Sequence, residues 1–188
     1  MEITSRDLWT VMHGLGFGAL FMLAFSGALV ELYRVAASGQ STAMSAREYS
    51  LLRIYLTTMV ILAWVTVFSG AYLIYPWYRA TPPAGAELAN YPRARLLSSR
   101  PTAEWHNIGM EWKEHVSWLA PIAMTMVAYV TLTYGRQIIL HRQMRIAVLA
   151  FAVAAFVATG IAGGFGAMLN KVAPVRGGSP IVLVGGKQ

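Results

Sequence analysis

Four long runs of apolar residues divide the chain, at about residues 8–32, 51–75, 108–134 and 146–169. Each is long enough for a bilayer, which a helix of ~20 residues crosses. The runs stop at Tyr33 and Arg34, at Pro76, Trp77 and Tyr78, at Gly135 and Arg136, and at Asn170 and Lys171. Aromatic and basic residues of this kind belong at headgroup depth. No run alternates as a barrel strand would. The pattern predicts an all-α fold: an integral membrane four-helix bundle, one transmembrane domain over residues 1–188, with the lipid bilayer as its first partner. An even number of crossings puts both termini on one face, called side A here.

Side A also receives the segment 76–107, and side B the shorter connections 33–50 and 135–145. The side-A segment carries Pro82, Pro83, Pro92 and Pro101 together with Arg79, Arg93, Arg95 and Arg100. It is too polar to enter the membrane and too long for a turn, so a cap over the bundle end is expected. Arg93, Arg95 and Arg100 would lie there at the membrane surface, docking a partner or neutralising a cofactor's acidic groups. "FSGALVELYR" (Phe25–Arg34) echoes "FSGAYLIYPWYR" (Phe68–Arg79). Small residues that let helices approach account for the likeness without a duplication. Gly160 and Gly164, at GxxxG spacing, predict another close helix contact.

Composition sharpens this picture. Only 12% of residues are charged and mean hydropathy is +0.51, while net charge is +7. In so apolar a chain the basic excess reads as membrane flanks, not as nucleic-acid binding. The absence of Cys excludes disulfides, iron–sulfur ligation, thioether-linked haem and thiolate zinc sites. The start "MEITSRDLW" lacks a basic n-region, so the first span is expected to remain as structure. Side B holds six Lys or Arg in or just beside its compact connections and side A nine over longer segments. Short loops weigh most in the positive-inside rule, which favours termini on the periplasmic side of a bacterial inner membrane.

Candidate chemistry rests on the histidines. His141 sits among side-B arginines and reads as a solvated loop residue. His106, beside Trp105, reads as a headgroup-level anchor and is the rival ligand to His115. His13 and His115 lie about five and seven residues into spans that both enter from side A. At 1.5 Å per residue both imidazoles fall ~8–10 Å below the helix starts. Ionisable residues inside a span face the bundle interior and mark function. Two imidazoles from facing helices are what one bis-His haem b requires. At ~100° per residue Leu20, Ala24 and Gly27 share the face of His13, and Gly14, Gly16 and Gly18 make room around it. Glu111, one turn before His115, is placed to take its N–H. Lys113, Arg95 and the other loop arginines are placed to neutralise haem propionates. Glu111, Lys113 and Glu114 also suit an ordinary wet helix start, and Glu31 a snorkelling carboxylate.

"WTVMHGLGFGALFMLAFSGAL" resembles the first helix of bacterial four-helix membrane cytochromes b and of formate dehydrogenase gamma subunits. In those families a helix-start His is followed about fourteen residues on by Gly after Ser or Thr, here His13 and Ser26–Gly27. The resemblance implies a haem b protein exchanging electrons with quinone or quinol, as a subunit of a larger redox complex. It is carried by the first span alone, and the second and fourth spans lack the histidines of a second haem. Two other readings stay open: a non-haem Zn or Cu site built from His13, His106, His115 and Glu111 or Glu114, and a non-catalytic membrane subunit or small transporter.

Overall fold

The computed structural model describes residues 3–37 and 45–181. Four helices are long and apolar enough to cross a membrane: α1 (Ser5–Ala37), α2 (Ala46–Arg79), α4 (Arg100–Tyr134) and α5 (Arg142–Val172). A short helix, α3 (Pro92–Leu97), lies in the connection between α2 and α4. Only 22–33% of the most apolar stretch of each long helix is buried within the protein. The rest, with Leu15, Leu23, Ile54 and Ile122 exposed, has lipid as its natural cover. The protein is thus an all-α, integral membrane four-helix bundle.

The helices overrun the apolar runs at nearly every end. α1 starts on Thr4, whose hydroxyl caps the Asp7 amide while the Asp7 carboxylate takes the Thr4 amide. Ser45 and Glu48 repeat this capping box at the start of α2. Both are Ser/Thr-x-x-Asp/Glu signatures legible in "TSRD" and "SARE". The cap between α2 and α4 is consequently shorter than 76–107, because α2 runs through Pro76 to Arg79 and α4 begins at Arg100. Residues 38–44 of the first side-B connection, and Lys187 of the tail, lie outside the described residues.

Lipid is as apolar as a helix surface, so packing and interhelical hydrogen bonds hold the bundle together. Tyr49 donates to the Thr131 carbonyl at 2.8 Å and Trp64 to the Thr125 hydroxyl at 3.0 Å, both joining α2 to α4. Trp112 donates to the Ala158 carbonyl at 3.2 Å, joining α4 to α5. Each such bond contributes ~0.6 kcal/mol. Two apolar clusters fill the interior. The larger, towards side B, centres on Phe21, Phe25, Leu56, Met59, Met124, Val127 and Ala152. The smaller, under the cap, gathers Tyr78, Leu96, Met110, Leu169, Ala173 and Val175.

Two expectations change. The buried residues of α1 are Phe21, Phe25, Ala28 and Leu32, one place beyond the expected Leu20, Ala24 and Gly27. The cause is a π-helical stretch, Met12–Ala19, whose wider turns insert an extra residue between His13 and the rest of the helix. Glu31, read as a snorkelling carboxylate, pairs with Arg34 at 2.9 Å, both exposed. The GxxxG pair makes no close contact: a Cβ on Gly160 would meet only the Met22 methyl at 3.5 Å, and one on Gly164 nothing within 4 Å. Close packing on α5 comes instead from Ala152, Ala155, Ala158 and Ala162. The two "FSGA" segments do share a packing role. Gly27 receives the Tyr55 hydroxyl and Gly70 the His13 ring.

The tail returns to the start of α1, where the Ser5 amide donates to the Ser179 carbonyl at 2.9 Å. Cysteines at Ser179 and Thr81 should therefore react with a membrane-impermeant maleimide from one side of a sealed vesicle. A cysteine at Gln143 should react only from the other; labelling of Ser179 and Gln143 positions from a common side would break the topology.

Candidate functional site

Wide π-turns occur in three of the long helices, and all three lie towards side A. Met12–Ala19 of α1 carries His13, Ser69–Ile74 of α2 carries Ser69 and Gly70, and Trp105–Met110 of α4 carries His106. Such turns are rare and concentrate at functional sites, because they aim side chains that a regular helix would direct elsewhere.

His13 meets Ser69, with Nδ1 and Oγ 3.0 Å apart. The buried Ser69 hydroxyl gives its one proton to the Thr66 carbonyl at 3.0 Å. Its oxygen is left as an acceptor, so Nδ1 of His13 carries the hydrogen and donates. The other ring nitrogen, Nε2, then presents a bare lone pair. The ring lies directly on the backbone of Gly70, where a Cβ would stand 2.7 Å from Cε1 and 3.2 Å from Nε2. The extra room expected from the glycines of α1 is therefore supplied by α2. Gly14 has nothing near it, and Gly16 only its own helix's Met12.

Lys113 faces His13 from α4. It lies within electrostatic reach of the His13 ring, and its amine reaches across to α5, where a Cβ on Gly166 would stand 2.8 Å from Nζ. Every long helix thus contributes to one polar layer: His13, Ser69 with Gly70, Lys113, and Gly166. The larger apolar cluster lies on its side-B flank and the smaller one on its side-A flank. Polar groups continue from this layer towards the surface. Glu114 lies near Tyr75, whose hydroxyl accepts from Arg79 Nη1 at 2.9 Å. The Tyr75 and Tyr78 rings stack 6.5 Å apart, and Tyr78 Oη lies 2.7 Å from Nδ1 of His106.

The expected residues divide between this layer and the outer surface. His13 is inside. His115 lies at a similar depth on the opposite face of α4, because it follows Lys113 by two residues, some 200° of turn. Its side chain is 69% exposed, with Nδ1 3.3 Å from Glu111 Oε2 and 3.1 Å from the Glu111 carbonyl. The Glu111–His115 contact read from the i, i+4 spacing exists, but it looks outward. Lys113, expected at the surface, points inward, and His106 is engaged by Tyr78. Arg95 and Arg100 are exposed, while Arg93 tucks inward. His141 is exposed, ahead of α5. Ser69, Gly70 and Gly166 were not read as site residues in the sequence, and Tyr78 was read only as an interface residue. The opposition of a span histidine to a Ser–Gly step on the next helix was the available signal.

This arrangement suits haem b in one respect only. His13 has the tethered Nδ1–H and bare Nε2 of an iron ligand, but the interior position opposite it on α4 is Lys113, not His115. No grouping of three or more His, Cys, Asp or Glu side chains able to hold a metal ion occurs among the described residues. Comparison with protein-family models, curated proteins and solved structures returned no match.

The two glycines of the layer should respond differently to alanine. At Gly70 the new methyl meets a stiff, hydrogen-bonded ring, an overpacking that costs about 1–3 kcal/mol. At Gly166 it meets the mobile end of Lys113, which can swing aside. Thermal unfolding in detergent should show a clear loss for Gly70→Ala and a change under about 0.5 kcal/mol for Gly166→Ala; equal effects would contradict the geometry.

Proposed function

We propose that the chain is a membrane subunit of a quinone-linked redox complex, and that the polar layer receives the quinone headgroup. The observation carrying this reading is a bare imidazole nitrogen, His13 Nε2, with the Lys113 amine in the same layer between two apolar clusters. Ionisable groups held inside a membrane bundle are costly and serve passage or chemistry. A quinone offers two carbonyl acceptors and a quinol two hydroxyl donors. Lys113 Nζ donates to a carbonyl whether or not it is charged, and His13 Nε2 accepts from a hydroxyl. In quinol oxidation two electrons and two protons leave the ring. His13 takes one proton, and the other departs through the Glu114 and Tyr75 groups to side A. The electrons pass to a redox centre in a partner subunit. The larger apolar cluster bars the way to side B, so proton exchange belongs to one face. A bacterial inner membrane, with side A periplasmic, is the setting this reading adopts.

Haem b is the second reading, favoured by the Ser69 tether of His13, which orients an imidazole as an iron ligand requires. It predicts a Soret band in protein expressed with ample haem, lost in His13→Ala and retained in His141→Ala.

Titration of purified protein with a short-chain quinone, followed by tryptophan fluorescence, tests the first reading. Quenching should saturate. His13→Leu and Lys113→Met should each weaken binding about tenfold, the equivalent of one hydrogen bond of ~1.4 kcal/mol, while His115→Ala leaves it unchanged. Wild-type quenching that never saturates, or variants that bind as tightly as wild type, would sink the quinone site.

A further inference from the structure

The cap end of the bundle holds more positive charge than the protein itself answers. α3 opens on Pro92, whose fixed φ suits the first helical turn. Pro92 and Leu96 are buried, and Leu96 packs with Tyr78, Met110 and Leu169. That docking turns Arg93 inward, so that its charge is felt at Tyr78 and His106. Its Nε is buried and has no hydrogen-bond partner. Arg79, the last residue of α2, brings a second guanidinium to this end of the bundle, anchored by its bond to Tyr75 and by lying 5.4 Å over that ring, and its charge too is felt at Tyr78 and His106. Glu114 and Glu111 are the carboxylates that act on His106. Neither forms an ion pair with either arginine, and Glu111 faces out with His115. Leaving a buried donor without an acceptor costs about 1–3 kcal/mol, and more when the donor is charged.

We propose that Arg93 and Arg79, beside the Tyr78–His106 pair, bind a phosphate group. A phosphate has several strong acceptor oxygens, and the planar guanidinium fork matches two of them at once. Its oxygens would satisfy the orphaned Arg93 Nε and offset both charges. The site stands at the height of Tyr75, Trp77 and Tyr78, aromatic residues suited to the headgroup layer. The phosphate is therefore that of an anionic phospholipid or a free phosphate from the aqueous side. A basic pocket between membrane helices serves the first source well. The inference is independent of the quinone reading, since none of its residues belongs to the His13 layer.

The test uses the full chain, purified in detergent and stripped of lipid. Thermal unfolding is followed with added phosphatidylglycerol, phosphatidylcholine or inorganic phosphate. Wild type should gain several degrees with phosphatidylglycerol and little with phosphatidylcholine if the lipid is the source, or with millimolar inorganic phosphate if it is not. Arg93→Gln should raise the concentration needed by about tenfold or more. The exposed Arg79→Gln, which leaves the packing intact, should weaken the response as well and keeps the test open should Arg93→Gln fail to fold. Arg95→Gln, on the outer face of the same short helix, should respond as wild type does. No response to either phosphate source, equal stabilisation by the two lipids with none by inorganic phosphate, or Arg79→Gln and Arg93→Gln responding like wild type would overturn the proposal.

Discussion

Between Met12 and Ala19 the backbone of α1 opens into wider turns, and the extra residue rotates everything beyond it. His13 turns towards α2 while Phe21, Phe25, Ala28 and Leu32 still meet the core. A regular helix through the same residues would put Leu20 and Ala24 on the His13 face and leave the phenylalanines elsewhere. The polar layer and the apolar core coexist on one helix because this stretch sets them one residue out of phase. The wide turn at Ser69–Ile74 answers it from α2, presenting both the hydroxyl that orients His13 and the bare backbone on which its ring lies.

Polar groups at this depth have few partners to choose from, and that scarcity orders the layer. In hydrocarbon every donor and acceptor needs a protein partner or a ligand. The chain Thr66 carbonyl, Ser69 hydroxyl, His13 Nδ1 closes one side of the account and leaves Nε2 open. Lys113 adds donors with no carboxylate in ion-pair contact. One open acceptor beside open donors, enclosed by two apolar clusters, suits a small ring bearing oxygens better than an ion passing through. The glycines differ in what they give the layer. Gly70 admits the imidazole where a larger residue would meet its ring, and Gly166 leaves room for the mobile end of Lys113.

The cap extends the same logic into the headgroup layer. α3 seals the smaller apolar cluster and turns Arg93 inward, so a surface segment acquires a buried guanidinium nitrogen. Arg95, two residues on, stays in solvent. Position on a six-residue helix thus separates two arginines that look equivalent in the chain.

Bilayer length, the aromatic and basic flanks and the even number of crossings were all legible in the sequence. They determined the class, the number of spans and the common side of the termini, because lipid imposes length and hydropathy on each span by itself. His13 was legible for the same reason, as an ionisable group inside an apolar run. The partner of His13 was not legible. Periodicity at 100° per residue assumes unbroken α-helix, and the wide turns in α1, α2 and α4 each shift the faces beyond them. Helical depth alone could not separate Lys113 from His115, which differ by two residues and stand at nearly one level. Only the packing of four helices around the layer decided between them, by giving Lys113 the gap beside Gly166 and leaving His115 to the outer face with Glu111.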